Sequence, residues 1–381
     1  MIAPAVVELG QPITSTVRHD PHEIRSTRVD SPSQFAELRS AWDSLVQSSE
    51  AASPFLTWEW LHPWWRHLRG TSRLRLLTAE AGGRLIAAAP FRLTAGVAPL
   101  RSLDLLGTGE AGSDYLDVIT RSGFEAEGLD AVERFVVKQN TPLRLTHLSS
   151  SAAAIHLADS LARRRWSQVT TPGGSCPYLP LAGHTWDSYL ATLGASHRAN
   201  VRRRLRALEQ KFELRFERVT ADCERREALE RLTQYHERRF GTRGSAFRTA
   251  SLRAFHDEAT RHFLERGWLR MFVLRVNSAP AAVMYGFLYN GTFYFYQHGF
   301  DDSYQQHSIG LVLMALSIRA AIEEGATEFD MLWGTEPYKF LWARHVRELR
   351  NLHLFPPHVG GQLHRGLFYA RRRLSAFIHA S

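Results

Sequence analysis

The chain has 381 residues, 44% hydrophobic and 22% charged, and its 47 Lys and Arg against 38 Asp and Glu give a net charge of +9. That length suits two domains of ordinary size with real cores, and the composition excludes a disordered or fibrous chain. Two cysteines, Cys176 and Cys223, exclude a disulfide framework and any Cys/His zinc spacing, and no apolar run approaches the ~20 residues of a membrane helix.

A reducing, cytoplasmic setting is expected, because the first residues also lack the basic start of a signal peptide. The basic excess points to an anionic partner: a phosphorylated cofactor, a nucleotide-sugar, a nucleic acid or an acidic membrane face. Residues 1–28 carry no sustained period and are expected as a flexible tail. Pro32 after Ser31 opens a helix whose apolar face holds Phe35, Leu38, Trp42 and Leu45. The tryptophan-dense stretch from Pro54 to Trp65 is expected to pack over a sheet, core packing being favoured over a stacking platform for sugars. Residues 74–79 and 84–93 flank Gly82-Gly83 as a hairpin, followed by a strand at 100–106, a helix at 124–138, a strand at 143–148 and a helix at 151–166.

A second unit is expected to repeat this order. Trp268 to Asn277 pairs with Ala281 to Tyr289, and a strand at 292–297, a polar loop, a helix at 311–324 and a strand at 328–333 follow. The domains are therefore drawn at 29–170 and 180–358, with a basic amphipathic helix at 361–381. In the second unit the loop before the helix offers an anion site, since the amides at 308–312 and the helix dipole favour phosphate. Between the units, Arg198, Arg202, Arg203, Arg204 and Arg206 crowd a helix whose apolar face is Val201, Leu205, Leu208 and Phe212. Such repulsion costs a few tenths of a kcal/mol per pair unless an anion relieves it. No helix-turn-helix or zinc-finger pattern accompanies the run, so DNA is not the expected partner.

The order Gly299, Asp301, Tyr304, Ser308, Gly310, a helix, then Phe329, Asp330, Gly334, Glu336, Tyr338 and Lys339 resembles the CelD/BcsL-type acetyltransferases. These belong to the GNAT superfamily and are related to the Fem peptidoglycan-bridge aminoacyltransferases. The resemblance implies an α/β (α+β) fold of tandem GNAT-like domains, each a mixed, largely antiparallel sheet flanked by helices. The general GNAT acyl-CoA signature would fall on His307-x-x-Gly310-x-Val312 and departs from its usual form at the first and last residues.

The expected activity is an N-acyltransferase that moves an acyl group, acetyl from acetyl-CoA, to an amine of a sugar or cell-envelope precursor, with no metal. Two competing readings are a Fem-like transferase using aminoacyl-tRNA, and a non-catalytic GNAT-like scaffold in polysaccharide synthesis. By the resemblance Lys339 stabilises an oxyanion or phosphate, Tyr338 protonates a leaving thiolate, and Arg198, in Ser-x-Arg-x-Asn with Asn200, holds a phosphorylated acceptor. Asp114 and Asp117 fall where the family carries a substrate-side acidic segment. From the residues themselves, Asp330 in mid-strand must be paired or functional, His298 and Glu336 are base candidates, and His307, Ser308, Ile309 and Gly310 face the donor's phosphates. The helix at 361–381 is expected on the protein body or a partner subunit, with an anionic membrane face as the other option.

Overall fold

The computed structural model describes residues 23–51, 53–96 and 100–380. The expected tail therefore lies mostly outside the described residues, and its last part is a strand. The first half runs β1 (Ile24–Val29), α1 (Pro32–Glu37), α2 (Arg39–Gln47), α3 (Trp58–Leu68), β2 (Arg73–Leu74), β3 (Leu76–Ala81), β4 (Arg84–Ala89), β5 (Phe91–Leu93), β6 (Leu103–Leu105), β7 (Ile119–Thr120), α4 (Glu125–Gln139), β8 (Leu143–Leu148) and α5 (Ala153–Arg163). After β9 (Ser167–Pro180) come α6 (Trp186–Thr192), α7 (Ala195–Lys211), β10 (Leu214–Arg218), α8 (Asp222–Gly244), α9 (Ala250–Glu265), β11 (Leu269–Val276), β12 (Ala279–Tyr289), β13 (Thr292–Phe300), α10 (Ile309–Glu323), β14 (Glu328–Asp330), β15 (His345–Phe355) and α11 (Val359–Ala380).

The fold is mixed α/β, with helices flanking two largely antiparallel sheets. A four-stranded sheet has the order β1-β3-β4-β7, and an eleven-stranded sheet the order β10-β11-β12-β13-β14-β9-β15-β8-β6-β5-β2. Both expected hairpins form, β3 with β4 and β11 with β12. Only β13 with β14 and β6 with β8 run parallel.

The halves share one sheet. The stretch where a domain boundary was expected is β9, a strand of 14 residues. Its end pairs with β14, and along its length it pairs with β15. The other edge of β15 pairs with β8 of the first half. Backbone groups that would be unsatisfied in a buried linker are thus absorbed by a ladder.

The cores also cross between halves. Trp60 of α3 packs 4.8 Å from Phe255 of α9 and 5.8 Å from Phe287 of β12, while its indole N–H donates to Ser113 Oγ at 2.8 Å. Trp58, Trp60, Trp64 and Trp65 are all buried, so the aromatic run is core. Glu59, fully buried, accepts from Arg39 of α2 and Arg266 after α9, a pairing that a buried carboxylate requires.

Helix ends follow local chemistry. Thr185 and Ser188 exchange the reciprocal bonds of a capping box at α6, and Thr249 Oγ1 accepts from the Leu252 amide at 3.1 Å to start α9. Strand β14 is shorter than the expected 328–333. Asp330 Oδ1 accepts from the Leu332 amide at 2.7 Å, and Leu332 turns into the left-handed region at φ 54°. That local bond competes with the ladder and ends it.

Candidate active site

The site is built where β13 and β14 part. Their pairing stops at Tyr294 and Asp330, while β13 continues through Phe295 to Phe300. The residue Tyr296 is a bulge, since Tyr285 of β12 pairs with Gln297 and Gly286 with Phe295. Helix α10 enters beside this gap. Its N-cap, Ser308, sits at φ 57° and makes no side-chain cap bond. The Ser308 amide is bonded to Gln305 O at 2.9 Å, and Leu311 and Val312 bond back to Ser308 O. Of the expected amide donors, those of Ile309 and Gly310 therefore remain without a partner among the described residues.

These amides border a cleft of ≈ 220 Å³ that also takes in Arg239, His298, Phe300, Tyr338 and Leu341. Gly310 is needed for packing: a Cβ there would lie 3.0 Å from the Phe300 ring. The Tyr338 hydroxyl makes no hydrogen bond among the described residues, and burial pushes the phenol well above the ordinary value, so the hydroxyl stays protonated at neutral pH. The His298 ring lies edge-on to Tyr338 at 5.7 Å. Burial, with Arg239 and Lys339 adding like charge, lowers it to about 3. It is therefore a neutral imidazole at neutral pH. Arg239, on α8, stacks 5.2 Å over Phe300 and makes no ion pair among the described residues. It is a free cation at the cleft mouth.

Behind the cleft lies a set of polar side chains that fix the turn after β14. The Lys339 ammonium is buried and donates to Leu332 O (3.2 Å), Trp333 O (2.8 Å) and Glu336 (3.1 Å). All three of its N–H bonds are in use, and Glu336 is otherwise exposed. Asp330 accepts from Tyr115 (2.6 Å), the Leu332 amide and Arg347 (3.0 Å). Burial raises it to about 7 against those donors. Asp114 accepts from the Trp333 amide at 2.8 Å and from His147 at 3.1 Å. The first half thus grips the segment 330–333 through Asp114 and Tyr115.

The structure therefore brings His298, Ser308, Ile309, Gly310 and Tyr338 together, with Asp330, Glu336 and Lys339 supporting the adjoining turn. It places others elsewhere. Asp117 binds the amides of Val118, Ala153 and Ala154, each at 2.8 Å, and so caps α5. His307 turns from the cleft to pack 5.2 Å from Phe212, with Nε2 3.4 Å from Lys211. Arg198 donates to Ala191 O at 3.1 Å, and Asn200 accepts from Arg203 at 2.9 Å. Both line open hollows along α7, one of which, of ≈ 770 Å³, shares Leu341 with the cleft as a lining residue. Arg239 was not foreseen; in a chain this rich in arginine, no local pattern marks it.

Residues 195–340 match the profile of a family described as the acetyltransferase (GNAT) domain. The segment spans α7 to the turn that carries Lys339, and so holds the cleft apart from Leu341 and Trp342. Residues 195–340 are an acetyltransferase (GNAT) domain. That domain type is an acyltransferase. Comparison with curated protein sequences gives no match. Among solved structures the chain is similar to FemX, at 11% identity and a TM-score of 0.58 over 86% of this chain and 96% of that one. It is similar to the C-terminal domain of a protein described as a lysylphosphatidylglycerol synthetase from Agrobacterium fabrum, at 12% identity and 0.55 over 90% and 96%. L-PGS from Bacillus licheniformis follows, at 11% and 0.54 over 85% and 92%. At these identities the likeness is one of fold, and it extends across both halves of the chain.

Proposed function

We propose that this chain is an N-acyltransferase of the CelD/BcsL type that carries an acyl group, acetyl in the simplest case, from coenzyme A to an amine. The observation that carries the reading is the meeting, in one cleft of the GNAT domain, of two free amides at the start of α10 with an unpartnered, protonated Tyr338. The amides of Ile309 and Gly310 and the Arg239 guanidinium suit a pyrophosphate. Phe300, Met314 and Leu341 offer the apolar wall that an acyl arm needs. When bound, the thioester supplies an activated carbonyl and a thiolate leaving group. The chain's part is to hold and move protons. The Tyr338 hydroxyl donates one to sulfur as the carbon–sulfur bond breaks, and His298 passes the proton lost by the amine toward solvent as the carbon–nitrogen bond forms. Lys339 acts through the turn that it holds. The acceptor, by resemblance an amine on a sugar or cell-envelope precursor, would enter from the α7 side, past Asn200 and Arg198. A CoA donor implies the cytoplasm.

Isothermal titration with acetyl-CoA tests the reading. Wild type should bind, Arg239→Ala should bind at least tenfold more weakly, and Tyr338→Phe should bind normally while losing about 10²-fold in turnover. Absence of binding by wild type would overturn it. The hollow beside the α7 arginines, which shares the Leu341 side chain with the cleft, favours a second reading in which the donor is an aminoacyl-tRNA. Binding of that RNA without binding of acetyl-CoA would select it.

A further inference from the structure

The last helix, α11, presents an apolar stripe that the protein leaves uncovered. One face is docked. Phe368 lies 4.4 Å from the His353 ring and 5.8 Å from Phe355 on β15, and Arg365 donates to Ser167 Oγ at 2.8 Å. On the opposite face Val359, Leu363, Leu367 and Leu374 are 78%, 56%, 44% and 65% exposed. At 100° per residue these four fall within an arc of about 80°, a continuous apolar stripe.

The charge around the stripe is of one sign. Helix α11 carries Arg365, Arg371, Arg372 and Arg373 and no Asp or Glu. At the same pitch Arg371 and Arg373 fall on either flank of the stripe, and both are exposed and form no ion pair among the described residues, whereas Arg372 lies on the docked side, 5.7 Å over the Phe368 ring. Arg371 also borders a hollow of ≈ 290 Å³ with Arg144, Leu100 and Leu367, adding a cation and apolar surface at the helix flank. No described helix is long and apolar enough to cross a membrane, so α11 is built to lie on a surface rather than to span one.

We propose that α11 docks the protein on an anionic phospholipid bilayer, with the Val359–Leu374 stripe in the headgroup–acyl boundary and the arginines on the lipid phosphates. A stripe bordered by cations complements a negative bilayer on both counts: apolar area enters the interface and each arginine gains from the surface potential. A second copy of the same helix complements only the stripe, since it would bring the arginines of two α11 helices together with no carboxylate on either. The proposal stands apart from the acyl-transfer reading, and its readout does not require activity.

The test is co-sedimentation of the full chain with vesicles of phosphatidylcholine, with and without phosphatidylserine. The expected result is partition onto the anionic vesicles only, weakened by salt. Replacing Arg371 and Arg373 together by Gln should lower the partition about 25-fold, taking roughly fivefold per arginine near the surface. Leu363→Ser with Leu374→Ser should lower it without changing the salt dependence. All of these positions are exposed, and unchanged thermal unfolding shows that the variants fold. Equal binding to neutral and anionic vesicles, no binding to either, or binding that neither variant reduces would overturn the proposal. So would a concentration-dependent dimer in light scattering that the double leucine variant abolishes, which would assign the stripe to a second copy of the chain.

Discussion

Removing the Tyr115 hydroxyl should loosen the grip of the first half on the active-site turn, and by an amount that depends on pH. Tyr115 donates to Asp330 Oδ2 at 2.6 Å, where Arg347 is the other donor at 3.0 Å. Burial raises Asp330 from 3.8 to about 7, and the tyrosine is the largest influence opposing that rise. A carboxyl raised on folding contributes stability that is present below its unfolded value and is lost as pH rises through the folded one. Without the phenol, the folded value should climb further and the loss above neutrality should deepen. In Tyr115→Phe the bond lost at about pH 8.5 is one to an ionised carboxylate, worth about 1.5–3 kcal/mol. At about pH 5.5 it is one between neutral groups, worth about 1 kcal/mol. Urea unfolding at the two pH values reads the difference directly, with the exposed Tyr369→Phe as the control that should not move. An equal cost at both pH values, or a larger cost in acid, would refute the account of Asp330.

Three further outcomes are expected. Gly174→Ala should cost about 1–3 kcal/mol in thermal unfolding, because its Cβ would sit 1.9 Å from the Trp333 indole at a backbone φ of +110°. Asp117→Ala should cost about 2–3 kcal/mol, since it strips three amide bonds from the start of α5 and its surroundings. It should leave acetyl-CoA binding unchanged in the titration. His256 is wholly buried with neither ring nitrogen bonded among the described residues, and burial lowers it from 6.5 to about 3. Its contribution is present above its unfolded value and lost as pH falls from 6.5 toward 3, so His256→Phe should shift the acid-unfolding midpoint to lower pH.

Much of the cleft was legible because its signals are local. The apolar period of α10, the alternation of β13 and the glycine turns of the hairpins each fix an element without help from distant chain. The position of the cleft followed from the polar loop before α10. What was not legible came from tertiary partners. The expected domain boundary between 170 and 180 holds Gly173, Gly174 and Pro177, yet these lie inside β9, because β15 pairs along that stretch with one irregularity at Leu349 and Arg350. The residues of α8 and α9 drew no expectation, although Leu229, Leu232 and Tyr235 face the core at helical spacing; the charge of the other faces hid them. Lys339 and Asp330 stand out in the sequence as catalytic candidates, but only the fold shows that their charges are spent on the turn after β14. The role of Asp117 depends on a helix that begins 36 residues later.

The placement of β15 has a consequence for how the protein is made. This strand lies between β8 and β9 in the shared sheet but comes after β14 in the chain. During synthesis the first half therefore emerges with two facing strand edges and nothing to place between them. Those edges stay open until synthesis has passed Phe355. Open edges invite pairing with other chains, and closure over so long a loop is slow. Nascent copies on one message are the nearest competitors for the vacant slot, so overproduction should favour strand-swapped aggregates over soluble protein. A circular permutant that begins with β15 would remove the wait.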